Sequence, residues 1–407
     1  MAQSAAGLTI LSNTVGLGGA NVSAFGDLIT VNPTPVVQLD FVYGTNTQTG
    51  VSTTANSATV DTSSGRLRLQ SGTNSAGSAI FNSKRSAKYR PGQGMVARFT
   101  TIFTTGVASS TQIVGVGNAI DGYFVGYNGT AFGFLHRINS SDAAWTAKTA
   151  WNGDKLDGTG STAFTVDPTK GNVWQIRYPY LGFGAITLWC LDPSGTWLLC
   201  HTVRYPNSTT TIQLTNPNLF FYAQSLNAGA TTNQIVYVGS VGIFISGTRS
   251  FIGSPRWAAD NSKITITTET VLVNLRNATT FNGVTNRSLA RLNSISFGST
   301  ANNGIATLRL YFASTLGGSP SWSQISGTSG DSGVTITSGN SVISKDTAGT
   351  FSSGTYMYSA VIGSPGNDIL DLTSLELYLG PAEILTVTGT STASSTLAVA
   401  LNWSEDI

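Results

Sequence analysis

Residues 122–138 read GYFVGYNGTAFGFLHRI, two aromatic-rich alternations that meet at Asn128-Gly129. An Asn-Gly pair accepts the left-handed backbone of a tight two-residue loop, so this stretch predicts a β-hairpin. A second hairpin follows from ITLWCLDPSGTWLLCHTV, residues 186–203. Strand 186–191, a turn at Asp192-Pro193-Ser194-Gly195 and strand 196–203 place Asp192 opposite Thr196, with Gly195 as the left-handed residue. In that register Cys190 faces Leu198 and Cys200 faces Leu188. The two thiols are then diagonal neighbours, too far apart for a disulfide, and read as buried free cysteines. Trp189, Leu191, Trp197 and Leu199 fall together on the opposite face. That face would be apolar too, so it calls for a cover: the second sandwich or the arm of the same chain, or a neighbouring subunit, which is the one favoured.

Outward from these hairpins, strand-like stretches recur with turn residues between them: 36–43, 95–105, 111–117, 172–181 and 233–246. After a break at residues 247–260 a second series begins with KITITTETVLVNL and ends with STLAVALNWSEDI. No amphipathic helical window and no repeat of 20–50 residues interrupts the pattern. The expected fold is all-β: two antiparallel β-sandwich domains, jelly-roll or lectin-like, with an N-terminal arm. The boundaries read as an arm at 1–35, a larger sandwich at 36–250 and a smaller one at 256–407.

Composition agrees. Charged residues make up 10% of the 407, and 104 positions are Ser or Thr, a mix that can signal disorder. Against disorder stand 40% hydrophobic residues with 18 Phe, 13 Tyr and 8 Trp. Mean hydropathy is +0.08 and no long apolar run occurs, so no membrane partner is expected. The first residues, MAQSAAGLTILSNTVGLGG, lack the basic start of a secretory signal. The formal net charge of +2 gives no global pull towards nucleic acid.

Chemistry is sparse in the sequence. His136 and His201 are the only histidines, and both lie in strand-like stretches without a nucleophile elbow. With two cysteines they match no zinc spacing, and no metal or cofactor is expected. Asp154, Asp157 and Asp167 read as caps of their own turns, not as a calcium loop or a glycosidase pair. The protein is expected not to be an enzyme. Lys84, Arg85, Lys88, Arg90 and Arg98 form a basic run without an intervening acid. It suits contact with an acidic protein surface or the guarding of a strand edge, and the lack of an interleaved aromatic platform, Tyr89 aside, makes nucleic acid a poor fit. Trp145 and Trp151, in SSDAAWTAKTAWNGDK, are the candidate glycan contacts.

The strings SKRSAKYRPGQGMVARFTTIFTTGVASSTQIVGVGN, WNGDKLDGTG and DPTKGNVWQIRYPYLGFGAITLWCLDP, with the ending NWSEDI, resemble virion structural proteins. These are capsid-associated or fibre-type proteins of large double-stranded DNA viruses and large tailed phages. The resemblance spans residues 36–245 well and the second series loosely, and it carries no catalytic residue. It implies a non-enzymatic virion component: a decoration, minor capsid or fibre subunit, with a role in host attachment. Its partners would be other virion proteins, a host-surface glycan and further copies of itself, a trimer being favoured. The alternative is a carbohydrate-binding β-sandwich module of a secreted or surface protein.

Overall fold

The computed structural model describes residues 33–160, 162–247, 254–326 and 340–406. Residues 1–32, most of the expected arm, lie outside them. The arm's last residues are strand: β1 (Pro33–Asp40) pairs antiparallel with residues 240–246. The chain then runs through β2 (Gly50–Ala55), β3 (Thr59–Ser63), β4 (Arg66–Gln70), β5 (Ser78–Ala87) and β6 (Met95–Phe103). Next come β7 (Ser110–Gly117), β8 (Gly122–Asn128), β9 (Ala131–Ile138), β10 (Ser141–Ala147) and β11 (Asn172–Tyr178). The hairpin strands β12 (Ile186–Leu191) and β13 (Trp197–Val203), then β14 (Leu219–Asn227) and β15 (Ile235–Ser246), complete the first domain.

These strands make two stacked sheets. One has the order β13-β12-β11-β6-β15-β4-β3 with β1 also on β15; the other is β10-β9-β8-β7-β14-β5-β2. Alternate residues of both meet in one core that includes Phe81, Phe99, Phe103, Tyr123, Phe134, Trp174 and Phe221. Burying each such side chain is worth about 1.5–3 kcal/mol. The β8–β9 hairpin forms one residue on from the expected loop: Asn128 ends β8 and pairs with Ala131, so the two-residue loop is Gly129-Thr130, with Gly129 at φ +58°. Strands β7, β8 and β9 are buried on both faces. On their outer side Ile113, Phe124, Leu135 and Tyr222 make a second small cluster, against which Ile80 and Trp145 pack.

The 186–203 hairpin follows the expected turn, with Asp192 N–H donating to Thr196 O at 3.0 Å and Gly195 at φ +86°. Cys190 faces Leu198 as read. Beyond that the register slips. Trp189 pairs with Leu199 while Leu188 pairs with His201, so Cys200 is the extra residue of a bulge and does not face Leu188. The bulge turns both Cys200 and His201 inward, which alternation alone cannot foresee. Both cysteines are free and buried.

The second domain contains β16 (Arg256–Ile266), β17 (Thr270–Asn277), β18 (Thr280–Phe281), β19 (Val284–Thr285) and β20 (Ala290–Gly317). It continues with β21 (Ser323–Ser326), β22 (Asn340–Asp346), β23 (Thr350–Asp371), β24 (Tyr378–Leu379), β25 (Ile384–Ser391) and β26 (Ser395–Glu405). Apart from the short β18–β19 pair, all belong to one nine-stranded antiparallel sheet. Strand β20 is 28 residues long and changes partner along its length, from β26 at residues 290–299 to β25 at 306–311. A long strand that switches neighbours lets one sheet curl around its own core, here Phe297, Leu308, Leu310, Val387, Leu401, Trp403 and their neighbours.

Candidate functional site

The basic run lies at the seam between the two domains. Lys84, on β5, pairs through Nζ with Glu383 Oε1 at 2.6 Å, and both side chains are about one-fifth exposed. The Glu383 carboxylate is set by its own turn, since Oε2 accepts the Gly380 N–H at 2.8 Å. Arg85 stacks on the Tyr378 ring at 4.5 Å and donates to Glu376 O at 3.3 Å. Arg90 meets the buried Asp406 carboxylate at 2.7 Å, and Lys88 Nζ donates to the Asp406 carbonyl. Four of the five basic residues are therefore spent on acids and carbonyls of the same chain, about 300 residues away in sequence. Arg98 alone lies elsewhere, on the outer face of β6.

Contact also runs in the other direction. Arg287, 5% exposed, reaches from the second domain into the first and donates through Nη1 to Asn216 O at 3.0 Å and Asn218 O at 3.1 Å. Its Nη2 is 4.0 Å from Asp121 Oδ2, a carboxylate with no exposed surface. Asp121 also accepts the Thr215 hydroxyl and the backbone N–H groups of Asn139, Thr215 and Asn216. Neither Asp121 nor Arg287 stands out in the sequence: the first precedes a glycine as any turn residue does, and the second is one arginine in a polar loop.

Between these ion pairs the two domains leave a cleft of about 640 Å³. Its first-domain wall carries Asn82, Lys84, Asn118 and the half-buried ring of Phe220; its second-domain wall carries Arg287 and Glu383. Asn118 Oδ1 is used internally, accepting the N–H groups of Ile120 and Asp121. Asn82 Oδ1, by contrast, is buried and has no hydrogen-bond partner among the described residues. A buried acceptor without a donor costs about 1–3 kcal/mol, which a bound hydroxyl would recover. With Lys84, Glu383 and Arg287 already paired, the cleft offers one aromatic ring, amide groups and little net charge. That is chemistry for a neutral, hydroxyl-rich ligand.

The glycan candidates fall differently. Trp151 is 2% exposed and edge-on to Trp174, ring centres 6.4 Å apart, with Nε1 donating to Thr146 O. It is core, not surface, because the 3₁₀ turn Lys148–Ala150 swings the chain back over the sandwich and carries the ring inside. Trp145 is half-buried against the outer cluster on β8 and β9. The structure does bring Trp189, Leu191, Trp197 and Leu199 together, all half-buried on the outer face of the β12–β13 hairpin. Arg177 stacks over Trp189 at 4.7 Å, and Arg98 lies 5.9 Å from Trp197 and 5.7 Å from Phe244. Guanidinium groups thus cover part of the face that the sequence leaves open.

The acids near residue 160 cap their own turns. Asp154 accepts Leu156 N–H, Asp157 accepts Thr159 N–H and hydroxyl, and Asp167 does the same for Thr169. Among the described residues no group of three His, Cys, Asp or Glu side chains could hold a metal ion. His136 bonds the Gln213 carbonyl at 2.8 Å between the rings of Tyr123 and Tyr205, and burial holds its imidazole below the usual histidine range. His201 lies beside Phe134 and is lowered by burial in the same way.

No family model matches the chain, and no curated protein does. Among solved structures it is similar to the cellulose-induced protein Cip1, at 15% identity over 53% of this chain and 98% of that one, TM-score 0.33. Peanut lectin gives 12% identity over 53% and 98%, TM-score 0.35. A β-1,3-glucanase from Mycobacterium marinum gives 10% over 49% and 91%, TM-score 0.33. At these values the likeness carries no argument about what this chain binds.

Proposed function

We propose that this protein is a non-catalytic, glycan-binding β protein that takes a neutral sugar residue in the cleft between its two domains. The observation that carries the reading is the pairing of the Phe220 ring with the unsatisfied Asn82 Oδ1 in a cavity of about 640 Å³. Sugar rings stack on aromatic faces while their hydroxyls answer amide groups, and cavities of about 300–1,000 Å³ suit small ligands. Hydrolysis would need two carboxyl groups flanking the bond; the cleft offers Glu383, which Lys84 already holds.

A glycan array followed by calorimetry on the hits tests this. Phe220→Ala and Asn82→Leu should each weaken binding at least about tenfold. A chain that binds no glycan, or binds one equally well in both variants, defeats the reading. The resemblance to virion proteins would give such binding its use: host attachment by a particle component, working as a homo-oligomer beside other virion proteins. Mass spectrometry of purified particles and light scattering of the isolated protein test those two points.

A further inference from the structure

The outer face of the larger sheet carries a second constellation that the cleft does not use. Across four neighbouring strands, Trp189 pairs with Gln175, Gln175 with Arg98, and Arg98 with Gly242. At the usual strand spacing that row is about 14 Å long. Arg177 lies one pleat along β11, on the same face, stacked on Trp189 at 4.7 Å. Arg98 is held by a 2.8 Å bond from its Nε to Gln175 Oε1, and by Trp197 and Phe244 at 5.9 and 5.7 Å. Gln175 is fully buried, and its Nε2 has no partner among the described residues.

Two arginines side by side are usually neutralised. Here neither meets a carboxylate among the described residues, whose ion pairs lie elsewhere. Burial and the charge of Arg98 both push the Arg177 guanidinium below its ordinary range, so the two groups repel. A pair of like charges, fixed in place by aromatic rings, is arranged for an anion that comes from outside.

We propose that this face is a second binding site, distinct from the cleft, for an acidic polysaccharide: Arg98 and Arg177 receive its carboxylate or sulfate groups, and Trp189 and Trp197 pack against its sugar rings. Two cations on a platform of about 14 Å suit a chain with one charge every sugar or two. A nucleic acid strand carries one charge about every 3.4 Å and would call for a denser basic surface. The half-buried indoles supply flat apolar area that an acidic peptide would not need.

The test uses the full chain, the double variant Arg98→Met/Arg177→Met and the single variant Arg98→Lys, each checked by circular dichroism and melting temperature. Affinity electrophoresis and calorimetry are run with polygalacturonate as the carboxylate source, dextran sulfate as the sulfate source, neutral dextran and single-stranded DNA. The wild type should bind at least one acidic polysaccharide, with affinity falling as salt rises. The double variant should lose about tenfold or more, and Arg98→Lys, which keeps the charge but not the planar fork, should fall between. Met preserves the stems over the indoles, and Arg98→Lys gives a second reading should the double variant fail to fold. Absence of binding to both acidic polymers, equal binding by the double variant, or equally tight DNA binding would each overturn the proposal. Phe220→Ala should leave this binding intact, so the two sites fail or succeed separately.

Discussion

Replacing Arg287 with Met should uncouple the two domains. The native guanidinium is buried, donates to two carbonyls of the first domain at 3.0 and 3.1 Å, and is the one cation that reaches Asp121 among the described residues. Methionine fills most of the volume but leaves both carbonyls and the carboxylate without that partner. Removing one member of a buried ion pair costs about 3–5 kcal/mol, and here the pair, 4.0 Å apart, is lost together with the two carbonyl hydrogen bonds. Asp121 keeps four other hydrogen bonds, all from the first domain, so that domain holds its fold. The loss therefore falls on docking and on the domain stabilised by it. At about 2–4 °C per kcal/mol for a unit of 150–250 residues, a loss of about 4 kcal/mol moves the second domain's transition down by roughly 8–16 °C. Calorimetry should show one transition split into two, scattering should show a larger radius of gyration, and glycan affinity at the cleft should fall with them. A single transition at the wild-type temperature with an unchanged radius would refute the claim that Arg287 holds the seam.

Three further outcomes follow from groups away from the seam. Glu405 is buried, accepts the Ser341 hydroxyl, the Trp403 indole N–H and the Val342 N–H, and is raised above the usual carboxylate range by desolvation. A raised acid costs stability once pH exceeds its unfolded value near about 4.3, so the melting temperature of Glu405→Gln relative to wild type should climb as pH rises above that value and level off once the buried carboxyl has ionised. A difference that is flat with pH would contradict the shift. Burial pushes the Cys190 thiol up to about 12, and Cys200 is raised further, so neither should react with a thiol reagent at neutral pH until the protein unfolds. Trp174→Ala removes a fully buried ring whose Nε1 donates to Thr101 at 3.0 Å; it should cost about 3–5 kcal/mol, read as a lower denaturant midpoint, and a loss under about 1 kcal/mol would mean the site collapses around the gap.

What the sequence made legible were local arrangements. Asn128-Gly129 and Asp192 to Gly195 fix their turns through the backbone of two to four residues, so those hairpins follow from neighbours in the chain. The bulge at Cys200 depends on which side chains the core needs, and period-two counting passes over it. The charge of the basic run was plain, but its partners Glu383 and Asp406 are some 300 residues downstream, and nothing short-range joins them. Trp151 misled because aromatic residues beside glycine-rich turns can point either way, and a single 3₁₀ turn decides the direction. Arg98 counted as one cation in a run along the chain; only the register of β6 beside β11 shows that it belongs with Gln175, Arg177 and the two indoles.

Strand β26 is an interior strand of its sheet, between the edge strand β16 and β20, and Asp406 just after it receives Arg90 and Lys88. On a ribosome the first sandwich has all its strands once β15 has emerged, whereas the second cannot close its sheet until about 160 residues later. At 5–20 residues per second that gap lasts roughly 8–32 s. Until residues 376–406 emerge the first sandwich carries Lys84, Arg85 and Arg90 without their second-domain partners, and β20, once made, waits for β26 along residues 290–299. The pairing of Arg90 with Asp406 is thus the last part of the seam to form, and a chain halted before β26 presents a first sandwich whose Arg90 is open to any passing anion.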